Sequence, residues 1–202
     1  MGTPDSAANW DIGLSAWIIQ DGNYPDFEVG QTVEFAVEFW IPDGVGCGPS
    51  DKKASATNLG DCVYDAVAEI IFQTADITIF DIGFMAYRET SSLQQSLPTG
   101  SRIAVRLGLG IDPFLYFESL SKLADVPPLV YSWKIISILR QTAPLVETES
   151  DGRKIRIRDP QRLNYEEIRR TDAWNDDGGY AEYVLRCDLL PIPPERTSKT
   201  AM

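Results

Sequence analysis

Between Thr32 and Ile41 the chain alternates without a break. Val33, Phe35, Val37, Phe39 and Ile41 are apolar, and Thr32, Glu34, Ala36, Glu38 and Trp40 stand between them. A helix brings one face round every ~3.6 residues, so this period of two would scatter the apolar set around a helix. On a strand it places them all on one side. Ile103, Val105, Leu107, Leu109 and Ile111 repeat the pattern, and Ile12, Leu14, Ala16 and Ile18 give a third example within Ile12–Ile19. Val63 to Phe72 suits either period: Val63, Val67 and Ile70 match a helix, whereas Tyr64, Ala66, Ala68, Ile70 and Phe72 match a strand. Its β-branched end assigns it to strand. Ile77–Tyr87, Val130–Leu139, Lys154–Arg158 and Tyr180–Leu189 complete the expected strands. Such a chain is expected to be mainly β, an antiparallel sandwich or partly open barrel with one or two short helices.

The best helix signal is Asp112-Pro113, a favoured N-cap followed by proline at the first helical position. Phe114, Phe117, Leu120 and Ala124 would form its apolar stripe, and Pro127-Pro128 ends it, giving a helix over 113–124. A second short helix is expected from Asp159-Pro160 through the 160–170 region. Residues 42–61, rich in Gly, Pro, Ser and Asp, read as a long loop, and 88–100 as a polar linker. The 202 residues suit one β-rich domain over 8–190, with a disordered tail at 195–202. Gly30–Ile41 echoes Gly100–Ile111, and Gln73-Thr74-Ala75 echoes Gln141-Thr142-Ala143, so two pseudo-repeats, 8–90 and 98–190, are an open alternative.

The chain contains no histidine. Serine–histidine and cysteine–histidine nucleophile pairs are therefore excluded within it, as are histidine-bearing zinc motifs. Cys47, Cys62 and Cys187 are too few and too scattered for a zinc pattern or a disulfide framework. Cys47 and Cys62 flank one loop and could pair under oxidising conditions, but three reduced thiols are expected. Gly44-Val45-Gly46-Cys47-Gly48 and Gly108-Leu109-Gly110 fail as phosphate-binding fingerprints at Pro49 and Pro113. The second reads instead as a strand whose glycines admit another backbone. No cofactor and no metal are expected.

Thirty acidic residues against eighteen basic ones leave a net charge of −12. That field disfavours nucleic acid and speeds encounter with a basic partner. Met1 to Asp11 has neither the basic nor the apolar segment of a signal peptide, and no apolar run nears the ~18 residues of a membrane span. A cytoplasmic protein without a membrane partner is expected.

Two constellations stand out. Residues 151–170 hold seven basic against four acidic residues, so this stretch is +3 while the rest carries −15. On a strand, Lys154, Arg156 and Arg158 share one face, with Ile155 and Ile157 on the other. That basic face is a candidate anion contact, or else a solvated face pairing with the protein's own carboxylates. Trp174, Asn175, Asp176, Asp177 and Tyr180 form the most site-like loop, joining aromatics and carboxylates to Gly178-Gly179. The competing expectation is a hairpin turn over a packed tryptophan. Trp17 and Trp40 lie opposite the apolar faces of their strands and matter only if exposed. Absence of a catalytic motif favours a non-catalytic binding protein, an inhibitor- or immunity-like partner of a basic protein. The alternative is a carboxylate-dependent enzyme such as a glycosidase acting on a small or sugar-like substrate, with acid and base drawn from Asp172, Asp176, Asp177 and Glu182.

Overall fold

The alternating segments build the walls of a barrel. The computed structural model describes residues 9–42, 46–89, 98–150, 152–159 and 161–191. Its first half runs β1 (Asn9–Ser15), α1 (Ala16–Gln20), β2 (Thr32–Phe35), β3 (Val37–Trp40), β4 (Gly48–Pro49), β5 (Ser55–Gly60), β6 (Val63–Gln73), β7 (Ile77–Asp81) and β8 (Met85–Glu89). Then follow β9 (Arg102–Ile111), α2 (Leu115–Glu118), β10 (Tyr131–Gln141), β11 (Leu145–Ser150), β12 (Arg153–Arg158), β13 (Tyr165–Ile168) and β14 (Glu182–Leu189).

Five strands close a ring. β9 pairs antiparallel with β3 and β6, β6 with β7, and β7 with β8. A parallel contact of Glu38 with Tyr87 joins β8 to β3 and completes it. Other strands are bonded outside the ring: β14 lies between β1 and β10, and β10 also pairs with β2 and β13, while β11 and β12 form a separate two-stranded sheet. β1 meets β9 where Gly13 stands opposite Gly110. Trp133 is fully buried, stacked on Phe35 at 5.4 Å and edge-on to Phe84 at 5.1 Å; Trp10 is also edge-on to Phe84, at 4.7 Å. These rings join the outer strands to the barrel in one apolar core. No helix among the described residues is long and apolar enough to cross a membrane.

Several boundaries differ from the sequence expectation. The strand expected through Ile19 stops at Ser15, because Ala16, Ile18 and Ile19 are all buried. Adjacent Ile18 and Ile19 cannot share a strand face, but a helical turn turns both inward and leaves Trp17 outside. The run from Thr32 to Ile41 breaks at Ala36: β2 pairs with β10 and β3 with β9, so Phe35, Ala36 and Val37 are buried consecutively as the chain changes neighbours. Ile77–Tyr87 is a hairpin, turned at Gly83 with its N–H donating to Asp81 Oδ1 at 2.8 Å. Residues 42–61 are not simply a loop, since they supply β4 and β5.

The helix expected over 113–124 is cut to α2 and a 3-10 turn at Leu120–Lys122. Asp112 does accept the Tyr116 N–H, at 3.2 Å, but Phe114 is left-handed (φ 81°) and Ser119 leaves helical geometry, so no continuous stripe forms. Tyr116 and Leu120 are buried, while Ala124 is exposed. The helix expected in 160–170 is replaced by β13, because the edge of β10 takes up Tyr165–Ile168 as a strand. Its expected start at Pro160 and the tail 195–202 lie outside the described residues.

Candidate functional site

The 171–180 loop leads from β13 to β14, and these two strands do not pair; β10 lies between them. It is therefore not a hairpin turn. Thr171 anchors its start: the buried hydroxyl accepts the Phe27 N–H and donates to Asp26, each at 2.9 Å. Gln20 at the end of α1 donates to Ala173 O at 2.7 Å and Gly179 O at 2.9 Å, tying both ends of the loop together. The reversal itself uses three successive left-handed residues, Asp177, Gly178 and Gly179, a conformation aspartate and glycine tolerate best.

Both central carboxylates are held by arginines, Asp176 mostly buried and Asp177 exposed. Asp176 accepts from Arg140 Nη1 at 2.5 Å, from the Tyr183 hydroxyl at 2.9 Å and from the Asp172 N–H at 3.0 Å. Asp177 pairs with Arg158, whose guanidinium also donates to Ala143 O at 2.8 Å and Tyr180 O at 3.1 Å. Asn175 closes the outer side by donating to both oxygens of Asp172 at 2.9 Å. What the loop presents outward is aromatic: Trp174 is 67% exposed and Tyr180 75%. The packed tryptophan of the competing expectation is absent at this position.

The basic face of β12 is spent mainly within the protein. Lys154, Arg156 and Arg158 do share one side, as the strand register requires. Arg158 is committed to the loop, Arg156 reaches Glu147 at 3.6 Å, and Lys154 stands opposite Glu149. The structure thus brings together Arg158, Asp177 and Tyr180 from separate predicted sets and leaves Lys154 and Arg156 on an exposed ribbon.

Glu182 lies apart from the three loop aspartates. It accepts the Ser15 hydroxyl at 2.6 Å, and burial raises its pKa against the opposing effects of that bond and Arg158. It lines a cavity of about 160 Å³ with Trp40, Asp61, Gln141, Tyr165 and Tyr183. Tyr165 donates to Asp61 across it. The Trp40 indole lies on Gly108, its register partner, with Gly110 beside it, and a Cβ at Gly108 would come within 2.2 Å of the ring. Gly108 admits a side chain, the Trp40 indole, while Gly110 also stands opposite the backbone of Gly13 in β1. Neither Asp61 nor Tyr165 was singled out by sequence; the available signal was the small–large alternation of Leu107-Gly108-Leu109-Gly110 facing a strand that ends in tryptophan. A larger concavity of about 570 Å³ runs between Tyr180 and the base of β11–β12, lined by Leu145, Ile157, Arg158 and Glu182. Only the larger one falls in the ~300–1,000 Å³ range usual for small-molecule sites.

A separate polar cluster sits in the core. Asp112 is fully buried and accepts from the Tyr87 hydroxyl. Burial, then the charges of Asp112 and Glu89, push Glu38 up to about 7. Cys62 and Cys187 are buried free thiols with pKa values raised chiefly by burial, and Cys47 is exposed and free. Among the described residues no three acidic or thiol side chains gather into a metal-holding group. No protein-family model, curated protein or solved structure matches this chain.

Proposed function

We propose that the protein is a non-catalytic binding protein that engages a basic protein partner, in the manner of an inhibitor or immunity protein, through the 171–180 loop. One observation carries this: Trp174 and Tyr180 are exposed on a backbone pinned by Gln20, Arg140 and Arg158. A loop already ordered when free pays less entropy on binding, and large aromatics are the commonest anchors of protein interfaces. Asn175, with Asp172, would form the polar rim. Because Asp176 and Asp177 are neutralised by arginines, attraction to a basic partner comes from the −12 field of the whole chain rather than from the loop's own charge. The reduced thiols suit a cytoplasmic location.

The test begins with co-purification from the source cell, using the whole chain as bait. The recovered partner is then titrated with wild type and with Trp174→Ala. A loss of about 30-fold in affinity is expected for an anchor worth ~2 kcal/mol. Equal affinity would exclude the loop.

A carboxylate-dependent enzyme is the second reading, favoured by one feature: Asp61 and Glu182 line one cavity with Trp40 and Tyr165. There Glu182, whose pKa burial raises, would be the acid, with a small sugar-like substrate on the indole. The ~160 Å³ available is small for that role. Hydrolysis of aryl glycosides that disappears in Glu182→Gln would establish it.

A further inference from the structure

We propose that the β11–β12 ribbon is a joint between copies of this chain, with β11 of one copy adding edge to edge onto β12 of the next. The two strands pair only with each other, so among the described residues each has one edge without a strand partner. A lone two-stranded ribbon is marginal in water, and free edges invite pairing. The register sorts its side chains sharply. Val146 faces Ile157 and Thr148 faces Ile155 on one side; Glu147 faces Arg156 and Glu149 faces Lys154 on the other. Val146, Ile155 and Ile157 remain 36–39% exposed, an apolar strip whose Ile157 end borders the concavity beside Tyr180.

Charge selects the occupant. β11 placed on β11 of another copy would set glutamates beside glutamates, and β12 on β12 would set lysine and arginine beside their like; both are unfavourable. β11 on β12 sets Glu147 and Glu149 beside Lys154 and Arg156, and joins the apolar strips of neighbouring ribbons. Each chain therefore carries both halves of one complementary joint. Residues 145–158 hold four basic against three acidic residues, a net of +1, whereas the rest of the chain carries −13. The ribbon is thus a segment where two copies of an acidic protein can approach without like-charge repulsion. Such a head-to-tail contact leaves one free edge at each end, so it propagates into a ring or an open chain rather than stopping at a two-fold dimer.

Light scattering on the full chain gives the first test: the mass should rise above 22.5 kDa with concentration, reaching species larger than a dimer. Glu147→Lys with Glu149→Lys should abolish the rise, as should Lys154→Glu with Arg156→Glu, and the four changes together should restore it. Half-swapped ribbons carry like charges internally and can melt, so a second measurement reads the joint directly. In a Cys47→Ser background, Glu147→Cys and Arg156→Cys chains are mixed and treated with a short bis-maleimide. Crosslinks between unlike variants should exceed those within either variant at least fivefold. A monomer at all concentrations, or crosslinks formed equally by like variants, overturns the joint.

Discussion

Asp176→Asn tests whether the loop is held as described. The carboxylate is 15% exposed and accepts three hydrogen bonds, from Arg140, Tyr183 and the Asp172 backbone. Asparagine keeps the shape but loses the charge, and its amide group must point a donor at one of three donors. Hydrogen bonds to charged groups are worth about 1.5–3 kcal/mol each, and a buried donor left unpaired costs more than the bond's net value. Arg140 keeps Glu166 at 2.7 Å, which offsets part of the loss. The expected destabilisation is about 2–3 kcal/mol, or roughly 5–10 °C in Tm for a chain of this size. Asp177→Asn should cost less, about 1 kcal/mol, because Asp177 is more exposed and Arg158 retains two carbonyl acceptors. Urea denaturation followed by fluorescence measures both, read as a shift in midpoint at constant slope. A loss below ~0.5 kcal/mol for Asp176→Asn would mean that the loop is not locked and that its aromatics are not preorganised.

Gly108→Ala puts a methyl group where the Trp40 indole lies, 2.2 Å from two ring atoms, so the ring must leave the sheet. The expected cost is about 1–3 kcal/mol, with a red-shifted tryptophan emission; unchanged emission and Tm would contradict the packing. Glu38 has a folded-state pKa of about 7 against an ordinary 4.5, so its folded form favours the neutral acid. Stability is therefore full below pH 4.5, falls as the pH rises through 7, and is then lower by on the order of 3 kcal/mol. Glu38→Gln should abolish that fall, becoming the more stable protein at pH 8 while matching wild type near pH 4; parallel pH profiles for the two proteins would refute it.

The fold class was legible because period-two runs such as Ile103–Ile111 are local signals that survive folding, whereas Val63–Phe72 fitted both periods and only its β-branched end pointed to strand. Boundaries were less so where tertiary contacts decided them. Ala36 looks like any other small residue in an alternating run, yet the chain changes partners there, and only the positions of β9 and β10 reveal it. Tyr165–Ile168 carries no strong strand signal and becomes β13 because β10 has an edge to fill. The loop residues Trp174 to Tyr180 stood out by composition, but the destination of their charges did not. Arg140 is far from Asp176 in sequence and was not singled out, so Asp176 looked free. Asp61 and Tyr165 were missed for the same reason: their hydrogen bond joins residues 104 positions apart.

Trp174→Ala, measured for stability and for affinity in the same preparation, tests the central claim most directly. An indole 67% exposed contributes little to the core, so the melting temperature should move by less than about 2 °C. Affinity for the co-purified partner should fall about 30-fold, with the association rate still rising at low salt. A large fall in melting temperature with affinity unchanged would make Trp174 a structural residue and would contradict the account.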